Sequence, residues 1–331
     1  MIITRTPYRI SFFGGGTDYP EWFNRHGGKV LSTTFNKYCY ISVRMLPPFF
    51  EHKFRIVYSR SETVNSIDQI EHPSAREVLK YRNVLDGLEI HHDGDLPARS
   101  GLGSSSAFTV GLLNALSALE GKYISANDLA KTAIHVEQSI INENVGSQDQ
   151  VATAFGGFNE VEFFCDGSFS VSPVVISPTR KSELNSHLML FFTGVSRIAS
   201  TIAKSQINQI TSGAVDLSAM QDMVDEAISI LRNENAPIQN FGKLLHESWV
   251  LKKGISDKVS TSDIDRLYQI AMDAGALGGK LLGAGGGGFM LLFVNPDDQE
   301  KVREALNDLV YVPFDFESAG SKVILYQPNG F

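Results

Sequence analysis

The sequence has only two cysteines, Cys39 and Cys165, and they show no paired spacing that would indicate a metal site or a disulfide framework. Folding of this chain therefore does not depend on cross-links between cysteines. Two reduced thiols are typical of an intracellular protein, so we expect the chain to act in the cytoplasm.

Positive charge is also scarce. The 29 Lys and Arg residues are outnumbered by 37 Asp and Glu residues, which gives a net charge of −8. Because no basic run is longer than the pair Lys252-Lys253, we expect no nucleic-acid partner. No run of about 18 uncharged apolar residues could span a bilayer, and residues 1–7 lack the apolar core of a signal peptide. We therefore expect no membrane partner, and anionic ligands must be bound by local groups.

The length of 331 residues exceeds what one hydrophobic core usually fills. Short β-rich runs and helical patterns mix in the first part, and a strand, helices, strand, helix and strand follow in the second. This order predicts an α+β protein with two domains, 1–178 and 179–331. Strands are predicted at 1–4, 8–13, 30–34, 38–44, 54–58, 88–92, 158–164, 169–175, 188–193, 289–294 and 321–326. Helices are predicted at 74–85, 107–119, 126–141, 148–155, 199–210, 217–233, 238–253, 263–274 and 298–309.

The most informative segment is residues 97–107, PARSGLGSSSA, which leads into the apolar run 108–119. Its two glycines allow a sharp turn and close approach to a ligand, and its three serines offer hydroxyls and caps for the next helix. That helix directs unpaired N–H groups towards the loop, which is typical of a polyphosphate site. The Lys-Ser or Lys-Thr pair of a Walker motif is missing, and the segment does not match a Rossmann fingerprint. An ordinary loop is the alternative interpretation.

A second glycine turn, residues 14–18 with the sequence GGGTD, ends a predicted strand. Alternation along that strand places Arg9, Ser11 and Phe13 on one face, so Arg9 is either exposed or directed into a site. Asp18 either caps a tight turn or accepts hydrogen bonds from substrate hydroxyls.

Two further carboxylates lie on predicted helices. Glu137 borders an apolar helix face, so its side chain should be partly buried and need a partner such as a cation; an amphipathic rim position is the alternative. Ser147 is placed to cap the next helix, which would leave Asp149 ionised in the first turn.

A third glycine loop, residues 283–288 with the sequence GAGGGG, follows Lys280. Consecutive glycines are tolerated where a ligand or another loop approaches the backbone closely. A flexible hinge is the alternative interpretation.

These three segments, in this order, resemble the motifs of the GHMP kinase superfamily, and the resemblance covers nearly the whole chain. It implies a ribosomal protein S5-like N-terminal domain and a ferredoxin-like C-terminal domain. Residues 6–18, 193–197 and 244–249 are similar to the branch that contains the D-glycero-D-manno-heptose 7-phosphate kinases.

The resemblance implies ATP and Mg²⁺ as cofactors. Asp149 would be the catalytic aspartate, and Arg9 would fix it and neutralise charge near the transferring phosphoryl group. Ser105 and Glu137 would hold the metal, although Ser106, where the family commonly has alanine, offers another hydroxyl. ATP would contact Pro97, Gly101, Leu102, Gly103, Ser104, Ser105 and Ser106. The substrate would contact Gly15, Gly16, Thr17, Asp18, Arg197, Lys280, Gly285 and Gly286.

The implied reaction is phosphorylation of the anomeric hydroxyl of a heptose 7-phosphate, for nucleotide-heptose and surface polysaccharide synthesis. Galactose is not expected, because galactokinases carry Gly-Glu-His-Thr-Asp where this chain has Gly-Gly-Gly-Thr-Asp. Another sugar, such as fucose or mannose, is the first alternative. A non-catalytic regulator that binds sugar or ATP is the second. The chain is expected to act as a monomer or a homodimer.

Overall fold

The computed structural model describes residues 1–47, 49–85, 87–98, 100–194 and 199–328. In this part of the chain, the strands are β1 (Ile2–Phe13), β2 (Gly28–Met45), β3 (Phe54–Val57), β4 (Ser61–Val64), β5 (Leu88–Gly94), β6 (Phe158–Phe163), β7 (Phe169–Pro173), β8 (Leu188–Phe192), β9 (Ala276–Leu281), β10 (Phe289–Val294), β11 (Val310–Tyr311), β12 (Phe316–Glu317) and β13 (Lys322–Tyr326). The helices are α1 (Pro20–His26), α2 (Pro73–Tyr81), α3 (Ser104–Leu119), α4 (Ala126–Ile134), α5 (Gln148–Phe155), α6 (Pro178–Ser186), α7 (Ala199–Thr211), α8 (Ser218–Arg232), α9 (Gln239–Ile255), α10 (Ser262–Asp273) and α11 (Gln299–Ala305).

The larger sheet is built around β1 and β2. Its strands follow the order β13-β1-β2-β5-β3-β4, while β12 and β6 also pair with β2, and β7 pairs with β6. All its pairings are antiparallel except that of β3 with β5. The almost completely buried helix α3 packs on β1 and β2. Its first turn therefore lies close to the end of β1, where the first glycine turn begins.

The smaller sheet has the antiparallel order β11-β8-β10-β9. Its strand β10 is buried along its whole length, because α9 packs on one face of the sheet and α10 packs against β9. The predicted α+β class is confirmed. None of the helices in the described ranges combines the length and apolar character needed to cross a bilayer.

Several predicted elements differ from the observed ones. The runs 1–4 and 8–13 form one strand, because β1 passes through Pro7 at a shift in its register with β2. The runs 30–34 and 38–44 are likewise joined in β2. The helix predicted at 126–141 ends at Ile134 and continues as a π-helical turn, His135–Ile140. The elements that the sequence did not predict are α1, α6, β4, β9, β11 and β12.

The last two strands return to the larger sheet, where β12 pairs with β2 and β13 pairs with β1. A division of the chain at 178 stays a prediction, although α6 does begin at Pro178 with the Ser177 hydroxyl as its N-cap. The segment assigned to the second domain thus contributes two strands to the first sheet.

One hydrophobic core extends across both sheets. The Phe241 ring of α9 lies 5.4 Å from the ring of Phe12 and 5.1 Å from that of Phe13, both on β1. Phe293 of β10 lies 6.3 Å from Phe241, and all four side chains are buried. This contact fixes the smaller sheet against the strand that carries Arg9.

Candidate active site

A cavity of about 290 Å³ lies between the two sheets. It is lined by the first glycine turn, the start of α3, the loop before α5, and residues of α7, α9 and β9. The predicted site residues that line it are Arg9, Gly15, Gly16, Asp18, Gly101, Gly103, Ser104, Ser105, Ser106, Asp149 and Lys280. Residues more than 250 positions apart in the chain are therefore brought to one hollow.

Arg9 and Asp149 form a bidentate ion pair at this cavity. Arg9 Nε donates to Asp149 Oδ1 at 2.7 Å, and Arg9 Nη2 donates to Oδ2 at 2.9 Å. Arg9 Nη1 also donates to the carbonyl of Gly101 at 2.6 Å, so the guanidinium links the aspartate to the serine-rich loop. The paired geometry fixes the orientation of the carboxylate. Arg9 is 3% exposed, and of the two positions predicted for it, the one directed into a site is correct.

The two larger glycine loops touch each other through their backbones. A Cβ atom on Gly101 would lie 2.4 Å from the carbonyl oxygen of Leu282, and one on Gly283 would lie 2.5 Å from the Cα of Gly101. A Cβ atom on Gly288 would likewise lie 2.2 Å from the carbonyl oxygen of Ser100. No side chain fits in this contact, which we call the glycine junction (Gly101, Gly283 and Gly288). Of the alternatives for the third loop, close approach of another loop is what the structure shows.

Helix α3 begins without a serine cap. Its N-cap is Gly103, which is left-handed at φ 75°, and no side chain of the described residues caps the first turn. The predicted caps are therefore wrong here, because the turn of the backbone itself aims the N–H groups at the cavity. Ser147 does occupy the N-cap position of α5, but its hydroxyl makes no cap hydrogen bond and instead accepts from Gln138 Nε2 at 3.1 Å. Asp149 nevertheless lies in the first turn of α5, as predicted.

Asp18 is 2% exposed and is held by backbone groups. Its carboxylate accepts from the N–H of Gly16 at 2.9 Å and from that of Gln148 at 3.3 Å. A Cβ atom on Gly146 would lie 1.9 Å from Asp18 Oδ2, so glycine is required at that position. Burial raises the pKa of Asp18, and the nearby charge of Asp149 raises it further.

Glu137 lies in the π-helical turn and is completely buried, more so than predicted. Burial raises the pKa of Glu137 to about 7. Its Oε2 accepts from Ser106 Oγ at 2.9 Å and from Gln150 Nε2, and a hydrogen bond with the Thr109 side chain also lowers the pKa of this carboxyl group. Ser105 is exposed at the cavity, whereas the Ser106 hydroxyl is buried and bonded to this carboxylate. The metal roles predicted for Ser105 and Glu137 stay predictions.

Two buried lysines lie at the same cavity. Lys280 Nζ donates to the carbonyl of Phe12 at 2.7 Å, and Lys252 Nζ donates to that of Gly283. Burial lowers the pKa of Lys252 to about 8 and that of Lys280 well below its usual range. The positive charge of Arg9 contributes to both shifts.

Other predicted contacts have different positions. The Thr17 hydroxyl donates to the carbonyls of Gly14 and Lys29, at 2.8 and 2.9 Å, and so fixes the turn. Leu102 is in the core, and Pro97 is exposed while its carbonyl accepts from Ser100. Among the described residues that line the cavity, the third loop supplies Gly283 and Ala284, since Gly285 and Gly286 pack on Val259. Arg197 lies outside the described residues. The ligand contacts predicted for these residues stay untested.

Sequence reasoning missed Lys252, Ser11, Gln148 and Gln150. A signal for Lys252 was available: the buried residues Phe241, Leu245, Ser248, Lys252 and Ile255 follow one another at helical spacing along α9. A lysine in an apolar stripe is unusual unless it meets a ligand or an anion. Gln150 had no comparable signal, because its contact with Glu137 depends on the π-helical turn.

Comparisons with known proteins identify the family of the chain. Residues 70–157 match the family model of the GHMP kinases N-terminal domain, and residues 219–312 match that of the GHMP kinases C-terminal domain. The D-glycero-alpha-D-manno-heptose 7-phosphate kinase of Campylobacter jejuni is 31% identical over 97% of this chain and 98% of that protein. The galactokinase of Pyrococcus furiosus is 26% identical over 92% of each. The crystal structure of a D-glycero-D-manno-heptose 1-phosphate kinase from Bacteroides thetaiotaomicron has a TM-score of 0.77 at 24% identity, covering 98% of both chains.

The family resemblance of the three glycine-containing segments is thereby confirmed. The structural neighbour shares the two-sheet fold, and the Campylobacter relative aligns over nearly the whole length. The chain belongs to the GHMP kinase family and is an ATP-dependent kinase.

Proposed function

We propose that this kinase phosphorylates the anomeric hydroxyl of D-glycero-D-manno-heptose 7-phosphate and forms the 1,7-bisphosphate. The bidentate Arg9–Asp149 pair supports this reaction, because it lies at the cavity beside the glycine loop that precedes α3. The name of the 31% identical relative supports the choice of acceptor. An anomeric phosphate is the form of sugar needed for transfer to a nucleotide, so the product would serve nucleotide-heptose and surface polysaccharide synthesis.

The phosphates of ATP would lie on residues 101–106, in front of the first turn of α3. The unpaired N–H groups of that turn and the positive end of the helix dipole stabilise anions there. The cations Arg9, Lys252 and Lys280 lie along the same hollow. This arrangement concentrates positive charge locally in a chain whose net charge is −8.

Asp149 would receive the proton of the acceptor hydroxyl as that oxygen bonds to the γ-phosphorus. The bond from the γ-phosphorus to the bridging oxygen breaks at the same time, and ADP leaves. Because Arg9 occupies both carboxylate oxygens, Asp149 cannot rotate away from the acceptor. The guanidinium also places positive charge close to the transferring group.

The residues around Glu137 fit a magnesium ion. A hard cation prefers oxygen ligands, and Glu137 supplies a buried carboxylate that is bonded to the hydroxyls of Ser106 and Thr109. Ser106 Oγ lies 2.9 Å from Glu137 Oε2, and Ser105, the residue before it, is exposed at the cavity. When bound, Mg²⁺ neutralises charge on the phosphates of the nucleotide.

The acceptor would lie beside the first glycine turn. Asp18, Ser11 and Gln148 line this part of the cavity, and Ser11 Oγ and Gln148 Oε1 are buried without partners in the described part of the chain. Buried polar atoms that lack partners are costly, so hydroxyls of a sugar would satisfy them. Lys280 and Arg197 are the candidate anchors for the 7-phosphate.

The test is a panel of acceptors with ATP and Mg²⁺, followed by ADP release and by the position of the new phosphate in ³¹P NMR. We expect the heptose 7-phosphate to be the best substrate and the matched heptose without phosphate to be much poorer. Turnover restricted to fucose, mannose or another unphosphorylated sugar would overturn the acceptor and favour another sugar 1-kinase. A protein that binds ATP and sugar without turnover would be a regulator instead.

A further inference from the structure

Lys252 lies in the last turn of α9, where the helix dipole favours a positive charge, but its side chain is buried. It is 5% exposed and lies on the face of α9 that packs into the core. Its neighbour Lys253 points outward and pairs with Asp265 at 3.1 Å. Two adjacent lysines of one helix therefore have opposite environments, and only Lys252 reaches the cavity.

The position of the Lys252 ammonium is tied to that of Arg9. Lys252 Nζ donates to the carbonyl of Gly283, and Arg9 Nη1 donates to the carbonyl of Gly101. Gly101 and Gly283 are in direct backbone contact at the glycine junction. The two cations are thus anchored on touching residues, next to the loop that precedes α3.

The Lys252 ammonium forms no direct ion pair with a carboxylate of the described residues. Arg9 is neutralised by Asp149, but neither Lys252 nor Lys280 forms an ion pair in the described part of the chain. A buried ammonium without an ion pair is costly, so an anion bound at this cavity would stabilise the charged forms of Lys252 and Lys280. A bound anion would supply the negative charge that these two lysines lack.

We propose that Lys252 is a further catalytic residue, whose ammonium binds the phosphoryl group that is transferred, opposite the guanidinium of Arg9. This proposal rests on the use of the cavity for phosphoryl transfer and not on the identity of the acceptor. Together the two cations would hold the charge on the three equatorial oxygens as the group moves. Lys280 remains the candidate for the acceptor phosphate.

Other charged groups face Lys252 from each element around it. Arg9 from β1 and Lys280 from β9 are cations; Asp18 from the first glycine turn and Asp149 from α5 are carboxylates. Since burial lowers the pKa of Lys252 to about 8, the free enzyme loses this charge in mildly alkaline solution. We expect kcat/KM for ATP to fall above pH 8 in the natural protein, and this fall to move to higher pH in Lys252→Arg.

The decisive measurement is binding of nucleotides without any acceptor. Lys252→Met removes the charge at nearly constant length, and Lys253→Met is the matched control on the next residue. Isothermal titration should show that Lys252→Met binds a non-hydrolysable ATP analogue about 10- to 100-fold more weakly while its affinity for ADP stays nearly unchanged. Its kcat should fall by roughly 10²-fold, and Lys252→Arg should recover part of both losses.

The outcomes distinguish whether Lys252 binds the transferred phosphoryl group of ATP or a phosphate of the acceptor. If Lys252→Met leaves the preference for the ATP analogue over ADP intact and instead raises only the KM of a phosphorylated acceptor, Lys252 anchors the acceptor and the proposal is overturned. Unchanged binding and turnover would overturn it as well. If Lys252→Met does not fold, Lys252→Arg provides the test. The proposal is rejected if Lys252→Arg prefers the ATP analogue over ADP to the same extent as Lys253→Met does and its pH profile is not shifted. These nucleotide-binding measurements contain no acceptor, so they stay valid even if the heptose 7-phosphate is not the substrate.

Discussion

Asp149 combines two properties that a proton acceptor needs. Its carboxylate is fixed by two hydrogen bonds from Arg9, and it lines the cavity near the first turn of α3. The Asp149 carboxylate also neutralises the Arg9 guanidinium, which is buried at 3% exposure. Orientation and charge therefore come from one contact.

Replacing Asp149 with Asn should lower kcat by about 10²- to 10⁴-fold, because the amide cannot take the proton of the acceptor. The amide oxygen still accepts one bond from Arg9, so binding of ATP should be retained. Asp166→Asn, at the exposed turn between β6 and β7, is the matched control. Turnover of Asp149→Asn close to that of the control would reject the role of Asp149.

Glu137 should make stability depend on pH. Burial raises the pKa of Glu137 from 4.5 to about 7, so between these values the folded chain binds more protons than the unfolded chain. The free energy of unfolding should therefore decrease as pH rises from about 4.5 to 7, by up to about 3 kcal/mol. Urea unfolding at pH 5 and pH 8 should show a larger decrease in the natural protein than in Glu137→Gln, where the raised pKa of Asp18 still acts in the same direction. The exposed Glu234→Gln variant should behave like the natural protein, and an equal pH dependence in all three would contradict the assignment.

The elements that carry the site are held together by the glycine junction. The start of α3 and the loop between β9 and β10 meet through backbone atoms, so each fixes the position of the other. The same contact supports Arg9 through Gly101 and Lys252 through Gly283.

Gly283→Ala should destabilise the protein by roughly 1–3 kcal/mol and reduce turnover, because its Cβ would lie 2.5 Å from the Cα of Gly101. Gly213→Ala is the control: this glycine has a similar φ of 71°, but nothing lies within 4 Å of a Cβ there. Both variants share the strain of a left-handed alanine, so the difference between their thermal unfolding midpoints isolates the contact. Equal losses would show that the junction tolerates a methyl group.

Sequence patterns predicted the elements with strong local signals. Helix α5 has the predicted bounds, and Ser125 caps α4 with Asp128, whose backbone N–H donates to it at 3.1 Å. The π-helical turn was missed because its residues keep a helical apolar pattern, and β9 was missed because Gly278 and Gly279 are poor strand formers. Arg9, Asp149, Asp18 and Ser106 were found through motifs and do converge, whereas Lys252 becomes visible only once α9 is packed against the third loop.

At the scale of the whole molecule, the two sheets share one core. Phe241 of α9 fills the space between Phe12 and Phe13 of β1 on one side and Phe293 of β10 on the other. The rings belong to one contiguous cluster of buried residues that includes strands of both sheets. The two sheets should therefore lose their structure together.

Phe241→Ala should lower the free energy of unfolding by about 3–5 kcal/mol in a single transition. Trp249 packs in the cluster of the smaller sheet, and Trp22 packs in a separate cluster with residues of α7, α8 and α9. Trp22→Phe and Trp249→Phe backgrounds therefore report on these two clusters separately by fluorescence. We expect one common urea midpoint in both backgrounds, shifted equally by Phe241→Ala. The largely exposed Phe49→Ala should leave the midpoint in place. Separate midpoints for the two tryptophans would refute the shared core.

The contrast between an acidic chain and a cavity with unpaired cations affects how a nucleotide arrives. A net charge of −8 repels an approaching anion at long range, while the lysine ammoniums act only after it has entered. Dissolved salt screens the long-range repulsion, with a Debye length of about 8 Å at 0.15 M, but it hardly reaches the buried groups. The association rate constant for ATP in stopped-flow experiments should thus increase with ionic strength, opposite to the behaviour of a protein that attracts its ligand from a distance.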